Sequence, residues 1–202
     1  GDATPPPGYR ANAEWSADGG LALAWGRSAI SSKASRFMVT DATGASVGAT
    51  VLDGYSRNRD RPTLLRLKKG GWWVGWSAQR ASAPDAFVPL LRRFDASGVA
   101  LGDKELPTVL RSDTFSDVVL AESDTGHLAA AWTRDGEIRI RVTEAAGYVV
   151  TDDAVIVTSG ATAPALAALP QGRFVLAWRD GAAPTPSIQV RIFDTYGVVL
   201  LE

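Results

Sequence analysis

Residues 164–178 read PALAALPQGRFVLAW, and the fold class follows from this stretch. Phe174, Leu176 and Trp178 alternate with Val175 and Ala177. An extended strand sends the first three side chains to one sheet face and the other two to the opposite face. The apolar run before them opens on Pro164, a residue suited to the start of a strand. Between the two runs lies Pro170-Gln171-Gly172, whose glycine can take the positive φ of a tight hairpin. The local reading is two antiparallel strands joined by a short turn.

The same text returns as SADGGLALAW (16–25), LKKGGWWVGW (67–76) and ESDTGHLAAAW (122–132). Trp25, Trp76, Trp132 and Trp178 end the four copies, 51, 56 and 46 residues apart. Six residues before each stands Gly19, Gly70, Gly126 or Gly172, and one residue before stands a small side chain, Ala24, Gly75, Ala131 or Ala177. Close packing is therefore expected on both faces of each strand, as in a sheet stacked between two others. All four tryptophans read as core.

Downstream, a third strand runs into Asp41, Asp95, Glu144 or Asp194, each three residues before Gly44, Gly98, Gly147 or Gly197. An acid opening a turn that closes on glycine has a local cause: its carboxylate accepts backbone N–H bonds and the glycine takes the left-handed position. A fourth strand follows, with Val47, Leu101, Val150 or Leu200. The tryptophan-to-glycine interval runs 19, 22, 15 and 19, so the second-to-third loop varies most and is where the scaffold accepts change.

The expected fold is all-β: four repeats of a four-stranded antiparallel sheet, about 10–57, 58–113, 114–160 and 161–202, after a proline-rich tail at 1–9. One such sheet cannot bury enough apolar surface to fold alone. Radial closure removes the edges that an open stack leaves exposed. The expectation is a single β-propeller domain, four-bladed or half of a larger ring completed by a second copy as a homodimer.

These pieces resemble the bacterial propeller-type repeats that read Pro-x-Leu, Asp-Gly-Gly, an apolar strand ending in Ala-Trp, then Arg-x-Phe-Asp-x-x-Gly. Here the signature appears as residues 164–178, as QVRIFDTYG (189–197) and as RRFDASG (92–98). The resemblance covers residues 11 to 200 or so. It implies a module of a large secreted or surface bacterial protein, generally non-catalytic.

Composition narrows the classes. The 202 residues carry 21 basic and 22 acidic side chains, a net charge of −1, so no global positive field points to nucleic acid or an anionic membrane. There is no cysteine, hence no disulfide, and His127 is the only histidine, which excludes a multi-histidine metal site. No apolar run approaches the roughly 20 residues of a spanning helix. No phosphate loop or dinucleotide fingerprint implies a cofactor. Abundant alanine, with 17 arginines among the 21 basic residues, points to a bacterial source.

The variable loops and inter-blade links share one face of a propeller. In the first two repeats that face is basic: Arg27, Lys33, Arg36, Arg57, Arg59, Arg61 and Arg80 against Asp53, Asp60 and Asp85. Arg57, Arg59, Arg61 and Arg80, with the off-pattern Trp73, form the candidate site for an acidic polysaccharide or protein partner. A solvated loop surface is the other reading. Trp73 and the equally off-pattern Trp15 either pack between blades or offer an indole for stacking. Arg92, Arg141 and Arg191 occupy one repeat position; they line a central channel or pair with a neighbouring blade. No nucleophile elbow is present, and the recurring acids lack the asymmetry of a catalytic pair. The expected function is therefore a non-catalytic binding or scaffolding module for protein–protein interaction, extracellular or in the cell envelope. The alternatives are a lectin using the variable-loop face, or a carbohydrate-active hydrolase or lyase.

Overall fold

The computed structural model describes residues 11–26, 35–52, 62–80, 83–101, 118–144, 148–157, 160–181 and 185–201. The chain forms two compact units, 1–111 and 112–202. Every regular element among the described residues is a strand, and the strands form four antiparallel four-stranded sheets, each in simple chain order. This is the all-β, propeller-like class that the repeat predicts.

The first unit holds two sheets. One contains β1 (Ala11–Trp15), β2 (Leu21–Trp25), β3 (Arg36–Thr40) and β4 (Ser46–Val51). The other contains β5 (Thr63–Arg66), β6 (Trp72–Arg80), β7 (Ala83–Phe94) and β8 (Ala100–Leu101). Ala22, Ala24, Phe37 and Val39 of the first sheet pack on Trp72, Val74, Trp76 and Phe94 of the second. The Phe37 ring lies 4.5 Å from that of Phe94 and 6.5 Å from that of Trp72. Small alanines let a second backbone approach, and the large rings opposite fill the space, so the two faces are complementary.

The sheets meet at their first strands. Asn12 Nδ2 donates to the Pro62 carbonyl at 2.7 Å, and the Arg66 amide donates to Glu14 Oε2 at 2.9 Å. Gly20 shows why the first copy carries two consecutive glycines. A Cβ there would stand 1.9 Å from the Thr40 carbonyl oxygen, where β3 ends.

The second unit repeats the plan. Its sheets are β9 (Val119–Glu122), β10 (Leu128–Arg134), β11 (Glu137–Thr143) and β12 (Val149–Val157), then β13 (Ala161–Ala168), β14 (Phe174–Asp180), β15 (Ser187–Phe193) and β16 (Val199–Leu201). Ala129, Ala131, Ile138, Ile140 and Val142 pack under Phe174, Leu176, Trp178 and Phe193. Burying each large side chain contributes roughly 1.5–3 kcal/mol.

Three of the four repeat tryptophans, Trp76, Trp132 and Trp178, are buried. Trp25, expected in the core by its repeat position, is only half-buried. The cause is the sheet face it occupies. In β2 the alanine face packs on the second sheet, so Leu21, Leu23 and Trp25 point away from it. Trp15, expected to pack or stack, is 68% exposed at the end of β1.

Candidate functional site

The recurring acids build turns. Asp41 Oδ1 accepts from the amides of Thr43 and Ala45 at 2.8 and 3.0 Å. Asp95 accepts from Ser97 and Val99, both at 2.9 Å, and Asp194 from Tyr196 and Val198 at 2.8 and 3.0 Å. Gly44, Gly98 and Gly197 close these turns with φ of 85, 83 and 76°. Gly147, the third-repeat counterpart, lies outside the described residues. The Thr43 hydroxyl, with desolvation opposing it and backbone amides assisting, holds the Asp41 carboxyl below the ordinary 3.8. The Ser97 hydroxyl does the same for Asp95, and the Ser16 hydroxyl for Asp18.

Asp124 works at longer range. It accepts from the Gly172 amide at 2.8 Å and the Gln171 amide at 2.9 Å, both in the turn of the following sheet. These two bonds are the main reason its carboxyl lies below 3.8. They also hold Gln171 in the left-handed region, at φ 65°, an unusual place for a residue with a side chain. His127 belongs to a local chain of hydroxyls: its Nδ1 lies 2.9 Å from Thr125 Oγ1, which lies 2.9 Å from Ser123 Oγ.

Arg57, Arg59 and Arg61 lie outside the described residues. Arg80 ends β6, and its side chain lies outside them too. Trp73 pairs with Leu65 and Arg93 across β5 and β7, is half-buried, and encloses its indole N–H without a hydrogen-bond partner among the described residues. The expected grouping of these arginines with Trp73 thus lies outside the described residues. Arg92, Arg141 and Arg191 are register-equivalent, opposite Val74, Ala130 and Leu176. Arg191 Nη1 donates to the Ile156 carbonyl of the neighbouring sheet, and its guanidinium stands 5.7 Å from the Trp178 ring centre. Its role there is pairing with the adjacent sheet.

Glu14 is an acid outside both the turns and the repeat. Glu14 lies on β1, where the other first strands carry Leu65, Ala121 and Ala167. It is half-buried and shares its sheet face with Asn12, another break in the repeat. The signal was present in the sequence as a carboxylate at an apolar position. Among the described residues no group of three or more histidine or acidic side chains is placed to hold a metal ion.

No family model and no curated protein matches the chain. Solved structures do share its fold. A thermostable family-43 glycoside hydrolase is 12% identical over 96% of this chain and 72% of its own, with a TM-score of 0.55. The α-L-arabinanase of Penicillium chrysogenum, complexed with arabinobiose, is 13% identical over 90% of this chain and 61% of its own, again at 0.55. Sucrose-6-phosphate hydrolase from Lactobacillus gasseri is 11% identical over 93% of this chain, at 0.53. The chain spans about half of that enzyme, 46% of its length.

At such identities the likeness shows the fold alone, a propeller-like array of four-stranded sheets shared with these hydrolases. It also overturns the expectation of a non-catalytic binding or scaffolding module for protein–protein interaction. That expectation took the regular repeat as evidence against an enzyme, yet chains of this fold with glycosidase names recur among the matches. The physical reason is that the repeat is written by strands and turn acids. These fix the sheets and carry no information about the non-repeating residues that do chemistry.

Proposed function

We propose that this chain is the propeller domain of a carbohydrate-active hydrolase that cleaves a glycosidic bond. The single observation carrying this reading is the fold shared with several glycoside hydrolases across nine-tenths or more of the chain. Glycoside hydrolysis needs two carboxyl groups, about 5–9.5 Å apart, one giving a proton to the leaving oxygen and one attacking or activating water. Asp41, Asp95 and Asp194 are engaged in their own turns and Asp124 in the next sheet, so they are poor candidates. Glu14 takes an amide bond, from Arg66 to Oε2, and is one described acid outside these turns, as are Glu122, Glu137 and Asp180; Asp53 and Asp60 lie outside the described residues of the same unit as Glu14.

The finer reading is that the repeats are of the Asp-Gly-Gly and Ala-Trp type found in secreted or surface proteins of bacteria. On that reading the enzyme is extracellular or in the cell envelope, where a polysaccharide is its natural partner. The test incubates the full chain with arabinan, arabinobiose, sucrose and sucrose 6-phosphate and measures released reducing sugar. Turnover is expected, and at least one of Glu14→Gln, Asp53→Asn and Asp60→Asn should lower it by about a hundredfold or more with the fold unchanged. No turnover on the panel, or turnover indifferent to all three changes, refutes the proposal.

A further inference from the structure

The outer face of the fourth sheet has the composition of a face that is buried elsewhere in the same unit. In the third sheet Ala129 and Ala131 pair with Val142 and Ile140, and Ile138 follows on the same face. All five are buried under Phe174, Leu176 and Trp178. The register-equivalent residues of the fourth sheet are Val175 and Ala177, paired with Ile192 and Val190, and then Ile188. These repeat the pattern of small and β-branched side chains, yet Ile188 is 70% exposed, Val190 48%, and the adjoining Leu201 62%. Exposed Arg179, opposite Ile188 where the third sheet has Thr133, edges this apolar patch, and an exposed apolar patch with a polar rim marks an interaction surface.

The chain also shows what such a face receives. In both units the small-residue face of one sheet is covered by a stripe of large residues ending in tryptophan: Trp72, Val74 and Trp76, or Phe174, Leu176 and Trp178. A third stripe, Leu128, Ala130 and Trp132 on β10, is buried too, and the fourth is Leu21, Leu23 and Trp25 on β2. The β2 residues are half-buried where their counterparts are at 7% exposure or less, and Trp15 beside them on the same face is largely exposed. One chain thus carries both halves of a contact that it already makes twice internally.

We propose that the outer face of β14 and β15 docks onto the Leu21–Leu23–Trp25 face of a second copy of this chain. The contact is head-to-tail, using a different face on each partner, so it either closes on itself or propagates. It does not depend on the glycosidase reading, and its test uses no activity.

The experiment is sedimentation equilibrium of the full chain, with Ile188→Asp and Leu23→Asp as variants. Wild type is expected to associate, and each variant alone to lose affinity by about a hundredfold, as for a central interface residue. Mixed together, the variants should form a 1:1 complex, because each retains the face the other lacks. Ile188 is exposed enough for its change to spare the fold. If circular dichroism shows that Leu23→Asp is unfolded, the exposed Trp15→Asp takes its place. Monomeric wild type at about 100 μM overturns the proposal. So does wild-type association by the β2-face variant alone, since that means like faces meet like.

Discussion

Replacing Gly20 by alanine separates steric exclusion from backbone conformation in these hairpins. The new Cβ falls 1.9 Å from the Thr40 carbonyl oxygen and 2.9 Å from its carbon, and both belong to backbone that cannot rotate away. To reach even 3.0 Å the contact must open by 3.0 − 1.9, about 1.1 Å. That displacement moves the end of β3, where Thr40 Oγ1 accepts from the Leu21 amide at 3.0 Å and donates to its carbonyl at 3.3 Å. Losing these two bonds costs about 1 kcal/mol each, and forcing atoms into packed space adds about 1–3. Gly20→Ala is therefore expected to destabilise the first unit by about 3–5 kcal/mol. Gly44→Ala is the control. Its φ of 85° disfavours a side chain, but nothing lies within 4 Å of the added carbon, so about 1–2 kcal/mol is expected. Urea unfolding followed by tryptophan fluorescence reads both values from midpoints at an unchanged slope. A Gly20 variant no less stable than the Gly44 variant would refute the steric argument.

Trp132→Ala, at a fully enclosed site, should lose about 3–5 kcal/mol in the same assay, while Trp15→Ala stays within about 0.5. Asp124→Ala should raise amide exchange at Gln171 and Gly172 by hydrogen-exchange mass spectrometry and leave the turn at Asp41 unchanged. The carboxyls of Asp41 and Asp95 contribute to the acid limb of stability. Their folded values lie below the ordinary 3.8, so their contribution is complete above that pH and vanishes as pH falls through the lower folded values. Asp95→Ala should make stability less steep across that acid window, seen as a smaller shift in melting temperature between neutral and acid buffer.

The repeat is legible because its signals are local. The Asp95-to-Gly98 turn needs only an acid and a glycine three residues apart, and the alternation of Phe174, Leu176 and Trp178 needs only a period of two. Engagement of Asp124 with the turn of the next sheet was not legible, because its partners lie 47 and 48 residues away. The non-catalytic expectation failed for a related reason. Repeating positions report sheets, whereas chemistry is carried by residues that interrupt such a pattern.

Sequence alone determined that this protein is four copies of a four-stranded antiparallel sheet with glycine-closed, acid-opened turns. Strand periodicity and turn stereochemistry act between neighbours in the chain, so they are written in it directly. Tertiary structure decided which face of each sheet is covered. Trp25 and Trp178 stand at equivalent positions, yet one is half-exposed and the other buried, because burial belongs to the surface that arrives opposite and not to the residue itself.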